Sequence, residues 1–258
     1  MTIRDERPRS VPVLAFHAIE DGPAPLCISP STFESMMLAL RDAGATALTS
    51  GDVAAALRGG TTLPPRAVAL TFDDGYTSVH TQALPVLQKL GWPATIFPVT
   101  SALGQRNRWD SGAAGELQIM SESALLELAS AGWEIGGHTH THPDLRTVDD
   151  EAIEADLERA DLAVAELVGH PPTSFAYPYG FNDPRVRRAA GRRYDACWCI
   201  GASKTQSDSP SDALPRIEAW YLRNPAVARQ TFSAIGDLWL AGRRSIRNLR
   251  AFANGRHS

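Results

Sequence analysis

The sequence predicts an α/β protein, a (β/α) barrel of about seven βα units that form one domain. At 258 residues, with 43% hydrophobic and 21% charged residues, the chain can bury one sizeable core. Short apolar runs alternate with segments of helical periodicity, which is typical of parallel βα units. This repetition favours a barrel over an open sheet, because every strand of a barrel has two neighbours.

Eight short apolar runs are the strand candidates. In chain order they span residues 11–16, 46–48, 67–72, 94–99, 133–136, 174–177, 196–200 and 216–219. Serines mark helix starts between them, at Ser31, Ser50 and Ser121. A long helix is expected over 149–168, where apolar residues recur at helical spacing until Gly169.

The pattern changes near the C-terminus. Asn224 followed by Pro225 is a helix start, and the tract that follows is interrupted near Gly236. We therefore expect a barrel over residues 1–222 and a helical extension of the same domain over 223–258.

Composition excludes some partners. A formal net charge of −4 and a pI near 6.0 give no general attraction to nucleic acid or to an anionic membrane, although residues 243–256 are locally basic. We expect this basic tail to be a solvated helix face, with contact to a membrane or a partner as the alternative. Three cysteines, Cys27, Cys197 and Cys199, do not suggest a disulfide framework. The charged start 1–7 is not followed by a long apolar stretch, so we expect a cytoplasmic protein without stable membrane insertion. The oligomeric state is left open.

Two aspartates follow one strand candidate, and three histidines follow another. Adjacent carboxylates such as Asp73 and Asp74 raise one another's pKa, a penalty that a divalent cation removes. If the backbone turns helically after residue 136, His138 and His142 lie on one face as ligands, while His140 points elsewhere. For the two aspartates taken without the histidines, the alternative is an Asp-Asp-Gly turn in which Asp74 caps a helix.

Strand ends bring these motifs together. In a barrel, the carboxyl ends of parallel strands form one rim, so Asp74, His138 and His142 would bind one metal ion there. Asp73 is then free to act as a base, and His17, at the end of the first strand, is placed to act as an acid. The segment Pro178-Tyr179-Gly180 reaches the same rim.

At these residues the chain resembles the polysaccharide deacetylase family, carbohydrate esterase family 4. Residues 71–75 match its Thr-Phe-Asp-Asp-Gly motif, and residues 138–142 match its His-Ser/Thr-x-x-His motif. The resemblance implies a distorted (β/α) barrel with Asp73 as base and Asp74, His138 and His142 as metal ligands. It also implies a divalent metal, Zn²⁺ first, with Co²⁺ or Ni²⁺ as alternatives, and an N-acetylated carbohydrate substrate.

Two departures point to one branch of that family. Residues 176–180 keep the Pro-Tyr-Gly of the third motif but lack its arginine, and the carboxyl-terminal Leu-x-His-Asp motif is missing. Residues 12–17 are similar to the amino-terminal Pro-Val-Leu-x-Tyr-His segment of a permuted branch that includes poly-N-acetylglucosamine deacetylases, in which the histidine is the acid. The missing arginine normally orients the base, and we expect Arg216 to supply a guanidinium near Asp73; a surface arginine at a strand start is the alternative.

Aromatic residues near the rim are candidates for sugar contacts. Trp109 and Trp220 offer indole faces for stacking, with core packing as the alternative for each. The Tyr179 backbone N–H could donate to an oxyanion, and its side chain could contact substrate.

The sequence thus predicts a metal-dependent hydrolase that removes acetyl groups from N-acetylated sugars. A hydrolase of another amide or ureide, of the allantoin or cyclic-imide type, is an alternative. A carbohydrate-binding relative with impaired catalysis is another, because two motifs depart from the family pattern. A non-haem iron oxygenase could also use two histidines and one aspartate, but the βα repetition and the paired aspartates argue against it.

Overall fold

The computed structural model describes residues 10–59 and 61–253, with side chains as far as Ile246. The charged start 1–7, residues 254–258 of the basic tail, and the side chains of 247–253 therefore lie outside the described part of the chain.

All eight strand candidates are present, with ends that shift by a few residues. Pro12 divides the first candidate in two, and one short strand within the polar loop 203–212 was not predicted. The strands are β1 (Ser10–Val11), β2 (Val13–Phe16), β3 (Thr46–Leu48), β4 (Ala67–Asp74), β5 (Thr95–Pro98), β6 (Glu134–Ile135), β7 (Ser174–Ala176), β8 (Ala196–Gly201), β9 (Thr205–Gln206) and β10 (Leu214–Glu218).

Eight α-helices accompany the strands in the described residues. They are α1 (Pro30–Asp42), α2 (Ser50–Leu57), α3 (Leu84–Leu90), α4 (Glu122–Ser130), α5 (Asp150–Val168), α6 (Pro184–Gly191), α7 (Pro225–Ala228) and α8 (Ala234–Ala253). Ser121 caps α4 as predicted, but Ser29 and Thr49, rather than Ser31 and Ser50, cap α1 and α2. The Ser50 hydroxyl donates instead to a carboxylate on β6.

Seven strands form a curled parallel sheet in the order β6-β5-β4-β2-β10-β8-β7, and β3 pairs beside the first half of β4. A single parallel bridge between Gly137 and Phe175 joins the two ends of this path. The predicted distorted (β/α) barrel is confirmed. The distortion lies where β6 and β7 meet, because in the described part of the chain their backbones pair at this one bridge.

Alternation along β4 separates the outside of the barrel from the inside. Leu70 and Phe72 pack under the helices in the largest core cluster, whereas Ala69 belongs to the cluster inside the barrel. Because side chains alternate along a strand, Thr71 and Asp73 share the inward face with Ala69. The aspartate pair ends the strand, and this places Asp73 inside the barrel rather than on a loop.

The C-terminal helices pack on the same core. Asn224 caps α7 as predicted, whereas the interruption lies before α8, at residues 229–233, rather than near Gly236. Ala228 and Leu240 are buried in the largest core cluster. The boundary between 1–222 and 223–258 stays a prediction. Among the described residues, no helix has both the length and the apolar character needed to cross a bilayer.

Candidate active site

A cavity of about 360 Å³ opens at the carboxyl ends of the barrel strands. Its lining contains most of the residues that the sequence singled out. These are His17, Asp73, Asp74, His138, His142 and Tyr179. Arg216 contacts Asp73 from inside the barrel. Neither Trp109 nor Trp220 is in the lining.

Three buried side chains in this cavity form a candidate metal centre. One ligand atom from each of Asp74, His138 and His142 lies within 4.8 Å of the others. Asp74 Oδ1 is 3.2 Å from His138 Nε2 and 3.3 Å from His142 Nε2, yet it makes no hydrogen bond. Ligands about 2.0–2.2 Å from a tetrahedral ion are separated by roughly 3.3–3.6 Å. The three residues therefore fit a divalent metal, and one carboxylate with two imidazoles leaves positions for water and substrate.

The histidine segment reaches this arrangement without forming a helix. Thr139 and His142 have φ values of 68° and 58°, in the left-handed region, so the predicted helical turn after β6 is wrong. The loop folds back on itself instead, because the His142 N–H donates to Thr139 Oγ1 at 2.9 Å. The two histidines converge through this loop rather than through helical i, i+4 spacing.

A carboxylate from α5 holds the loop from behind. Buried Asp156 accepts hydrogen bonds from the His140 N–H at 2.6 Å and from the N–H and hydroxyl of Thr141 at 3.2 and 2.6 Å. Sequence reasoning missed this residue. The sequence did contain a signal for it, because Asp156 is an acidic residue on the apolar side of α5, together with Ile153 and Leu157.

Hydrogen bonds also set the orientation of the histidine rings. His138 Nδ1 lies 2.7 Å from the Ala176 carbonyl, which requires the proton on Nδ1 and leaves the lone pair of Nε2 facing Asp74. His140 Nδ1 lies 2.8 Å from Thr100 Oγ1, on the loop after β5. His140 thus stands apart from the candidate metal centre, in agreement with the expectation that it points elsewhere.

Arg216 forms the contact with Asp73 that the sequence predicted. Its two terminal nitrogens each donate to one carboxylate oxygen at 2.7 Å, and one of them also donates to Thr71 Oγ1 at 3.0 Å. Burial by itself would raise the pKa of Asp73, but the charge and hydrogen bonds of Arg216, together with the nearby His138 and His17, outweigh it and lower that pKa. Asp73 is therefore held as a carboxylate, with its own partner, beside the candidate metal centre.

His17 lies beside this ion pair in the cavity lining. Its Nε2 is 4.0 Å from Asp73 Oδ2. Burial opposes the imidazolium, but the carboxylates of Glu218, Asp74 and Asp73 together raise the pKa of His17 above its ordinary value. Sequence reasoning missed Glu218, although it follows Arg216 at i+2 on β10 and so shares its inward face.

Strained backbone is concentrated at the cavity. Five non-glycine residues in the described chain have positive φ, and four of them are Asp74, Thr139, His142 and Tyr179. Each such conformation costs roughly 1–3 kcal/mol and persists only where surrounding contacts impose it. The clustering indicates a site whose geometry is maintained at the expense of stability.

The aromatic candidates divide into two groups. The Trp109 and Tyr179 rings each lie 4.6 Å from the His142 ring, and Tyr179 is 42% exposed at the cavity. Trp109 is half-buried and contacts the same histidine without lining the cavity. Trp220 packs on the core under the Arg223 guanidinium, in the turn after β10, so the structure does not bring it to the cavity.

Comparison with known proteins gives consistent results. The chain is 26% identical over 233 residues to YxkH of Bacillus subtilis (strain 168), whose name places it among polysaccharide deacetylases; the match covers 90% of this chain and 78% of that protein. It is 29% identical over 202 residues to a poly-beta-1,6-N-acetyl-D-glucosamine N-deacetylase of Staphylococcus aureus (strain MSSA476), covering 74% of this chain and 67% of the relative.

Solved structures share the fold. IcaB from Ammonifex degensii superimposes with a TM-score of 0.71 at 25% identity, covering 86% of this chain and 98% of IcaB. The Streptococcus pyogenes deacetylase PplD gives a TM-score of 0.72 at 22% identity, covering 82% of this chain and 92% of PplD, and supports the fold alone. The family model for polysaccharide deacetylases matches residues 60–193, more than half of the chain. The chain belongs to the polysaccharide deacetylase family, whose members are hydrolases that act on carbon–nitrogen bonds other than peptide bonds.

Proposed function

We propose that this protein is a metal-dependent N-deacetylase that releases acetate from an N-acetylated sugar. The main observation behind the proposal is that the two aspartates have different partners. Asp74 faces two imidazoles in a geometry suited to a metal ion, whereas Asp73 is paired with Arg216 and stays free of that cluster. A site in which one carboxylate binds the metal and a second carboxylate acts as the base is suited to hydrolysis.

Asp74, His138 and His142 would hold the ion, with Zn²⁺ as the first choice and Co²⁺ or Ni²⁺ as alternatives. A divalent cation bound there would polarise the attacking water and the acetamide carbonyl. His138 is already oriented for this role by its Nδ1 contact with the Ala176 carbonyl. The donor set of one carboxylate and two imidazoles is common in catalytic zinc sites.

Asp73 and His17 carry the proton transfers of the proposed reaction. Asp73 accepts a proton from the attacking water, and its lowered pKa keeps it ionised for that step. His17 donates a proton to the nitrogen as the carbon–nitrogen bond breaks, and its raised pKa keeps it protonated. Acetate and a free amino sugar are the products. In this proposal the Tyr179 N–H donates to the oxyanion.

The cavity suits a monosaccharide unit with its acetamide group directed inwards. A volume of about 360 Å³ lies at the small end of the range of ligand pockets. The exposed Tyr179 ring is a candidate stacking surface for the sugar, and Trp109 supports the site through its contact with His142. The relatives named for poly-N-acetylglucosamine support the same substrate class.

Acetate release from a panel of N-acetylated glycosides tests the proposal. Chelated protein is expected to be inactive, and activity is expected to return on addition of Zn²⁺, Co²⁺ or Ni²⁺. Ammonia release from allantoin or a cyclic imide, without acetate from any glycoside, would support the ureide alternative. Sugar binding without chelator-sensitive turnover would support the impaired relative, although the contact of Arg216 with Asp73 removes one of the grounds for that alternative.

A further inference from the structure

Helix α8 carries a stripe of apolar side chains that are exposed to solvent. Ile235, Leu238, Trp239 and Ile246 are 67%, 75%, 38% and 47% exposed. Their helical spacing places them along one side of α8, whereas Leu240 is buried in the core. A surface helix that serves only the fold has its apolar side inwards and its polar side in water. The exposed side of α8 has the composition of a contact surface.

The charge of this segment differs from that of the rest of the chain. Residues 238–258 contain five arginines and no aspartate or glutamate, although the whole chain has a net charge of −4. Arg243 lies over the Trp239 ring, with its guanidinium carbon 4.5 Å from the ring centroid, beside the apolar stripe. An exposed apolar side on a strongly basic helix is typical of helices that lie in a membrane interface.

Contacts place the start of α8 at the active-site end of the barrel. Asp237 pairs with Lys204 at 2.6 Å, and the Trp239 indole N–H donates to the Tyr221 carbonyl at 3.3 Å. Lys204 and Tyr221 lie just beyond β8 and β10, whose ends contribute Ile200 and Glu218 to the cavity lining. The stripe is therefore attached to the loops that continue from two walls of the site.

We propose that α8 docks the protein on the surface of an anionic lipid bilayer. The stripe would enter the boundary between headgroups and acyl chains, and the arginines would pair with lipid phosphates. A second copy of the chain fits less well. A two-fold dimer uses the same patch on both subunits, so the arginines of one segment would lie near those of the other with no acid in the segment to pair with them.

Sedimentation with lipid vesicles tests this proposal independently of deacetylation. The wild-type protein is expected to bind vesicles that contain phosphatidylglycerol, to bind pure phosphatidylcholine vesicles weakly, and to dissociate as salt is raised. The double variant Ile235→Asp/Leu238→Asp is expected to bind roughly tenfold more weakly or worse, because two apolar side chains no longer leave water. Both positions are exposed, so its thermal unfolding should match the wild type.

The matched control is Leu162→Asp on α5, where the side chain is 63% exposed but no basic segment adjoins it. Vesicle binding by this variant should equal that of the wild type. Equal sedimentation of the wild type with both vesicle types, or unchanged binding by the α8 double variant, would overturn the proposal. So would a wild-type dimer in sedimentation velocity that the double variant dissociates, because the stripe would then be a self-association surface.

Discussion

Asp73 and Asp74 are neighbours in sequence, but their carboxylates meet different partners. Alternation along β4 turns Asp73 into the barrel, where Arg216 binds both of its oxygens. Asp74 adopts a φ of 69°, which ends the strand and points its carboxylate at His138 and His142. An extended strand would turn Asp74 to the face opposite Asp73, so the positive φ is what brings its carboxylate to the same cavity.

Arg216→Ala is expected to abolish most acetate release while leaving the three candidate ligands and the metal content intact. It leaves the Asp73 carboxylate buried and unpaired, which lowers the free energy of unfolding by about 3–5 kcal/mol. The pKa of Asp73 should rise, so activity should fail at a higher pH on the acidic side. Arg216→Lys should restore little, because an ammonium cannot form the paired contact.

The measurements are turnover, bound metal and denaturant unfolding. Arg223→Ala is the control, since this arginine is exposed over Trp220 and should affect none of the three. Turnover of Arg216→Ala equal to that of the wild type would remove Arg216 from the site. In the wild type, the ion pair should stabilise the fold at neutral pH and lose that effect as pH falls through the lowered pKa of Asp73.

Glu218→Gln is expected to move the alkaline limit of kcat/KM to lower pH. His17 acts only while protonated, and the Glu218 carboxylate is the largest of the charges that raise its pKa. Without that charge, His17 should lose its proton at a lower pH. The pH profile is the measurement, and Glu34→Gln, at an exposed position on α1, is the control. An unchanged alkaline limit would exclude Glu218 as a partner of His17.

At the scale of elements, the histidine loop shows what sequence patterns could and could not predict. Motif spacing identified His138 and His142, and strand ends correctly predicted that they approach Asp74. The helical turn was wrong, because left-handed residues and the Asp156 carboxylate impose a tighter loop. Thr139 gives no local sequence signal of this strain, because a β-branched residue rarely adopts positive φ. Histidine adopts it more often, but that tendency does not single out His142 among the three histidines of the segment.

Asp156→Ala is expected to weaken metal binding by about 10–100-fold, because the loop that presents both histidines loses its anchor. Asp156→Asn should lose less, since the amide oxygen can still accept the two backbone N–H bonds that end on one oxygen of Asp156. The measurement is competition with a chelator of known affinity. Glu158→Gln, exposed on the same helix, should bind metal like the wild type. Unchanged affinity in Asp156→Ala would show that the histidine loop needs no support from α5.

At the scale of the whole molecule, the barrel depends on a close approach between strands at its weakest seam. A β-carbon on Gly136 would lie 2.3 Å from Cε1 of Phe97 and 3.0 Å from the Ser174 carbonyl, next to the bridge that joins β6 to β7. The run of strand candidates was sufficient to predict the barrel. The contact between β6 and β7 was not predictable from the sequence, because β6 is short and one residue pair, Gly137 and Phe175, joins the two strands.

Gly136→Ala is expected to lower the free energy of unfolding by about 1–3 kcal/mol, because the added methyl group displaces Phe97 or opens the seam. Chemical denaturation with intact metal measures it. Gly242→Ala on α8 is the matched control, because nothing lies within 4 Å of its added β-carbon. That control should be neutral or slightly stabilising. A Gly136→Ala protein as stable as the wild type would mean that the seam does not hold the barrel closed.

The assignment of separate roles to the two aspartates is tested most directly by Asp73→Asn, with acetate release and bound metal measured on the same sample. We predict wild-type metal content and a loss of turnover of about 10²–10⁴-fold, because an amide keeps the shape of the side chain but cannot accept the water proton. Asp74→Asn should instead lose the metal. Full acetate release by Asp73→Asn with its metal bound would contradict the proposed mechanism.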